Sequence, residues 1–129
     1  MARGLIRGKP ERSATVVTWL RVLFAGVLIS MVTLTTTASL EQGLVEAARD
    51  LWSDAWFRAT LADAYFGFLT VFVWIAYRER TMTARLVWLV LVMSLGTIAV
   101  AFYMLIALRR LHPGDPIERL LTRTVEEQT

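Results

Sequence analysis

The stretch "LVWLVLVMSLGTIAVAFYMLIAL", residues 86–108, decides the fold class. It carries no charge over its whole length and ends against Arg109 and Arg110. At about 1.5 Å per residue, a helix of this length crosses the roughly 30 Å hydrocarbon core of a bilayer. The stretch is therefore expected to be a transmembrane helix, and the rest of the chain is read outward from it.

The composition agrees. The chain has 129 residues, 56% hydrophobic and 19% charged, with a mean hydropathy of +0.51. Soluble domains lie nearer half apolar, with about a quarter of their residues charged. The apolar excess is concentrated in long uncharged runs, as in integral membrane proteins. There is no cysteine, so disulfides, thiolate metal sites and cysteine nucleophiles are excluded. The 14 basic residues, against 11 acidic, gather at the ends of the apolar runs. That is the pattern of membrane flanks rather than of nucleic-acid binding, and no nucleic-acid motif is present.

Two further spans are expected, over residues 16–38 and 56–77. Arg21 lies inside the first, where its long stem can snorkel to the near interface beside Trp19. That run is longer than the apolar region of a signal peptide, so it is expected to be retained. Before it, residues 1–15 form a basic surface tail. Between the spans, Leu40, Leu44, Ala47, Ala48, Leu51 and Trp52 alternate with Glu41, Glu46, Asp50 and Asp54. This predicts an interfacial amphipathic helix over about 40–54. The membrane domain thus covers 16–111, an all-α three-helix bundle.

Residues 112–129 follow. Pro113 and Gly114 break the helix, and Asp115, Pro116 and Glu118 stand where a helix would have its N-cap, N1 and N3 residues. Ile117, Leu120, Leu121 and Val125 then predict a short amphipathic docking helix, with His112 as a further partner contact. Three spans place the two ends of the chain on opposite sides. The basic residues then divide eight to six in favour of a cytoplasmic N-terminus, in a bacterial inner membrane.

Each span carries a stripe of small or polar residues. The first has Gly26, Ser30, Thr33 and Thr37; the second Ala59, Asp63, Gly67 and Thr70; the third Ser94, Thr97 and Ala101. Such spacing puts each set on one helical face, where small residues and hydroxyls favour close helix packing. Asp63 stands out, because an acid facing lipid at mid-membrane costs roughly 2.5–3.5 kcal/mol. The structural reading has it bond Thr33 or Thr37 across a helix pair. The functional reading makes it the coupling acid of a small oligomeric proton carrier or channel. The structural reading is preferred, because the spans hold one acid, no Lys or His, and no proline. His112 is the single histidine; a cofactor-ligand role is less expected than a surface contact. Trp19, Trp52, Trp56, Trp74, Tyr77 and Trp88 read as interfacial aromatic belts. Enzyme motifs, phosphate loops and metal-ligand spacings are absent.

At "TLADAYFGFLTVFVWIAYRER", residues 60–80, with "TTTASLEQ", residues 35–42, before it, the chain resembles a domain-of-unknown-function family. That family comprises small, mostly bacterial, multi-span membrane proteins with an Asp–Ala–Tyr–Phe opening to the second long span. The resemblance covers roughly 16–111. It implies a compact multi-span protein in which Asp63, Tyr65 and Phe66 belong to the common pattern, and it implies no activity. The expected role is a non-catalytic accessory subunit of a larger membrane complex, photosynthetic or respiratory, in contact with membrane lipids. No cofactor of its own is expected beyond peripheral lipid or pigment contact. The alternatives are the carrier built on Asp63, and an assembly factor or sensor docking through 115–129.

Overall fold

A computed structural model describes residues 9–112 and 114–122, with side chains from residue 12 onward. The basic tail before Lys9 and the docking residue Val125 lie outside the described residues. Among those described, all regular structure is helical. Helix α1, Lys9–Glu41, takes Pro10 in its first turn, where a missing N–H costs nothing. It extends the expected first span at both ends. Helix α2, Leu44–Leu51, follows a two-residue link, Gln42 and Gly43, with Gly43 extended, and is shorter than the expected interfacial helix. Helix α3, Ala55–Arg78, is opened by Asp54, whose carboxylate accepts the Phe57 N–H at 3.0 Å. Helix α4, Met82–Leu95, is opened by Thr81, whose hydroxyl oxygen accepts the Ala84 N–H at 3.2 Å. Helix α5 is Thr97–Arg109.

The expected third span is therefore not one helix. Residues 86–108 are broken at Gly96, which takes φ 55° and ψ −125°, a conformation that side-chain-bearing residues avoid. The chain doubles back there. Trp88 and Tyr103 would lie roughly 22 Å apart along a straight helix. Their rings meet edge to face with centroids 4.7 Å apart. The apex is packed as tightly as it is bent, because a Cβ on Gly96 would sit 2.7 and 2.9 Å from ring atoms of Phe68. The three-helix bundle is thus corrected to two long helices embracing a helical hairpin. Two segments, Arg12–Glu41 and Ala55–Arg78, are long and apolar enough to cross a membrane. The 14 residues of α4 and 13 of α5 make helices of roughly 20 Å, short of a bilayer core. The expected Ser94, Thr97 and Ala101 stripe is also divided, with Ser94 exposed on α4 and Ala101 buried on α5.

Two apolar cores hold the hairpin. One joins α3, α4 and α5 around Ile75, Val92, Ala99 and Tyr103, with Phe68, Phe72 and Trp88 against them. The other joins α5 to α1, with Ala107 and Leu108 set against Val17, Leu20 and Phe24. Arg21 does more than snorkel: its guanidinium donates to the Leu108 carbonyl at 2.9 Å, close to the end of α5. That carbonyl belongs to a terminal turn whose dipole favours a cation. Packing on both sides brings the start of α1, the end of α3, the start of α4 and the end of α5 to one end of the molecule. The second halves of α1 and α2, and the first half of α3, form the other.

The expected C-terminal amphipathic helix is also corrected. Over the described residues it is a single 3-10 turn, Ile117–Leu120, with no side-chain cap. Asp115 cannot cap it because its carboxylate is taken by the His112 N–H at 3.0 Å and by Arg119 at 2.7 Å. Leu120 does not project as a free docking residue but is buried in the α1–α5 core. Leu121 is exposed and Ile117 is half-buried.

Gly96→Ala meets both backbone strain and the Phe68 ring, and should lower stability by about 2 kcal/mol or more. Thermal unfolding in mild detergent measures this. Adding Phe68→Ala should not restore the wild-type midpoint, because the positive φ persists and a new cavity is opened.

Candidate functional site

The end of the molecule where four helix termini converge holds most of the polar chemistry. Its centre is Tyr103, carried by α5 into the space between α3 and α4, where it is 4% exposed. Its hydroxyl donates to Glu79 Oε1 at 2.9 Å, just beyond the end of α3. Trp74 and Trp88 meet its ring edge to face, at 5.6 and 4.7 Å. The Arg78 guanidinium lies over the Trp74 ring at 5.4 Å and over the Tyr103 ring at 5.8 Å. These contacts join α3, α4 and α5 through one phenol, two indoles, a carboxylate and a guanidinium. Arg85 adds a hydrogen bond from Nε to the Glu79 carbonyl at 3.1 Å, tying α4 to the same turn.

Above Tyr103 lies a pocket of about 380 Å³ between the α3–α4 turn and the end of α5. Arg78, Arg80, Arg110 and Arg119 line it, with Glu79, His112 and Asp115 among them and Ala107 and Leu111 as apolar wall. The two carboxylates are already engaged. Glu79 accepts from Tyr103. Asp115 accepts from the His112 backbone and from Arg119. The His112 N–H, first, and the Arg119 charge hold the Asp115 carboxyl below its ordinary pKa, so it is ionised at neutral pH. By contrast, a terminal nitrogen of Arg78 is buried with no hydrogen-bond acceptor among the described residues, as is the indole nitrogen of Trp74. The pocket therefore has an excess of cationic donors over free acceptors.

The residues singled out from sequence lie elsewhere. Asp63 is exposed on α3, and no hydrogen bond or ion pair joins its side chain to the described residues. Thr33 and Thr37 do not reach it, because α1 packs chiefly on α5 while α3 packs chiefly on α4. Their hydroxyls donate instead to their own helix, Thr33 to the Ile29 carbonyl at 2.9 Å and Thr37 to that of Leu34 at 3.0 Å. Thr70 likewise donates to Phe66 at 2.9 Å. Gly67 has open space where a Cβ would stand. Ser30 borders a shallow apolar groove with Gly26 and Thr97, beside the hairpin apex. His112 is exposed, its Nδ1 3.7 Å from Asp115. Among the described residues no group of three His, Asp or Glu side chains is placed to hold a metal.

Sequence reasoning missed the Tyr103 cluster. It placed Trp74 and Trp88 in interfacial belts and left Tyr103 inside an uninterrupted span. The available signal was Glu79, a lone carboxylate between Arg78 and Arg80 that a simple basic flank does not require. Tyr103→Phe keeps the ring contacts and leaves Glu79 without its donor. It should lower stability by about 1.5–3 kcal/mol, the usual range for a hydrogen bond to a charged group, read as a fall in the thermal midpoint.

No curated protein and no solved structure matches the chain. A family model does, over residues 5–127, which extends beyond the resemblance read from the central segment alone. With nearly its whole length matched, the chain belongs to the family described as "Protein of unknown function (DUF1475)".

Proposed function

We propose that the chain is an integral membrane, non-catalytic accessory subunit that stabilises a larger assembly, with a photosynthetic or respiratory complex of the bacterial inner membrane as its host. In this reading α1 and α3 cross the bilayer, and α4–α5 is a re-entrant hairpin. Non-helical backbone at membrane depth is tolerated where protein buries it, and Gly96 under Phe68 meets that condition. The distribution of charge supports the placement. Arg12, Arg21, Arg78, Arg80, Arg85, Arg109, Arg110 and Arg119 all belong to the convergent end, and only Arg49 and Arg58 of the described arginines belong to the other. By the positive-inside rule the convergent end is cytoplasmic. The described start of α1 is then cytoplasmic, and His112 and residues 114–122 lie on the same side.

The observation that carries the subunit reading is the bare face around Asp63. Asp63, Gly67 and Thr70 are exposed on an apolar helix, and the hydroxyls expected to satisfy the acid are turned to their own backbone. An acid in lipid requires a donor, and small residues beside it let a second helix approach. A partner subunit's membrane helix supplies both.

Purification through a tag on this chain in mild detergent should recover a larger complex of fixed stoichiometry. Asp63→Leu should weaken that association about tenfold, as expected for one interhelical hydrogen bond. It should leave the thermal stability of the isolated chain unchanged, because the Asp63 side chain has no partner among the described residues. Recovery of a lone homo-oligomer would contradict the subunit reading. So would a proton flux in liposomes that Asp63→Asn abolishes, which is the signature of a carrier.

A further inference from the structure

The arginine-lined pocket is not used by the subunit reading, yet it is the most strongly built polar feature of the described chain. We propose that it binds the phosphate group of an anionic phospholipid, from the leaflet at the convergent end. The inference rests on the membrane placement above and goes beyond it.

Four guanidiniums line a cavity of about 380 Å³ against two carboxylates, and both carboxylates already hold donors of the protein. Arg119 is bound to Asp115 at 2.7 Å, so it positions rather than binds. Arg80 also interacts within the chain, which leaves Arg78 and Arg110. Arg78 is fixed by its two ring contacts, and one of its terminal nitrogens is buried without an acceptor. A charged donor left unpaired is costly, and Arg78, which lines the pocket, gains an acceptor when an anion occupies it. The Arg110 side chain has no hydrogen bond or ion pair among the described residues, and it stands exposed at the rim. A guanidinium presents a planar fork that matches phosphate oxygens in pairs, which a single water or chloride does not. His112 adds a further donor at the opening.

The position of the pocket selects the source of the phosphate. It lies where α3 and α5 end and α4 begins, and its wall includes Ala107 and Leu111. A phosphate entering on an acyl-chain anchor meets arginines on the water side and apolar helix on the other. Basic pockets between membrane helices at the cytoplasmic face bind anionic headgroups by this geometry. A free inorganic phosphate would satisfy the arginines equally but gain nothing from the apolar wall.

The test uses the full chain in mild detergent, titrated separately with phosphatidylglycerol, phosphatidylcholine and inorganic phosphate. Thermal unfolding and native mass spectrometry give the readouts. Phosphatidylglycerol should raise the unfolding temperature and remain bound, and phosphatidylcholine should not. Arg110→Gln, at the exposed rim, should weaken phosphatidylglycerol binding about tenfold without altering the unliganded midpoint. Arg78→Gln should weaken it at least as much. Arg49→Gln, which removes the same charge from the far end, should change nothing. Protection by inorganic phosphate that Arg110→Gln removes would support the phosphate site while assigning it a soluble ligand. Equal binding of the two lipids, or phosphatidylglycerol binding indifferent to Arg110→Gln, would overturn the proposal. A chain that fails to partition with membranes at all would instead overturn the membrane placement.

Discussion

The structure depends on a reversal of the chain at Gly96. A backbone at φ 55° and ψ −125° with a phenyl ring pressed over it admits no side chain. From that one turn come the two short helices, the meeting of Trp88 with Tyr103, and the return of α5 toward the start of α1. If residues 86–108 ran straight, Arg109 and Arg110 would lie at the far end from Arg78, and the pocket would not exist.

The reversal also explains why the polar chemistry is collected in one place. An apolar hairpin inserted between two long helices must be fixed at its open end, where its termini expose unpaired backbone groups. Arg21 meets the Leu108 carbonyl there, Arg85 meets that of Glu79, and Tyr103 meets the Glu79 carboxylate. At the apex, the contacts that hold it are apolar, with Phe68 as the main one. The two ends are therefore different in kind: one is sealed by packing, the other is latched by charge and hydrogen bonds. Beyond the apex, α1 and α3 extend without support from the hairpin, and it is there that Asp63 lies bare.

The helical class and the two long apolar helices were legible in the sequence, because long uncharged runs are local signals. The hairpin was not. Residues 86–108 have the length and composition of a span, and a single glycine in a helical run is common enough to pass as tolerated. What distinguishes Gly96 is a tertiary fact, the Phe68 ring lying 28 positions earlier in the chain. The same holds for Tyr103, whose partners come from three different segments. The Asp63 stripe was read as a set of residues on one side of α3. Its expected partners on α1 were not met, because which helices pack together depended on the hairpin taking the place between them. The Asp115 cap failed for a smaller reason: the same carboxylate had a nearer donor behind it, at His112.

The central claim is that both described ends of the chain lie on one side of the membrane. The absence of cysteine makes single-cysteine labelling clean. Ser13→Cys, Ser53→Cys and Thr122→Cys variants, each exposed to a membrane-impermeant maleimide in intact and in inverted membrane vesicles, measure it directly. The account predicts that positions 13 and 122 label from the same face and position 53 from the opposite one. Labelling of position 122 together with position 53 would restore a third full span and contradict the hairpin.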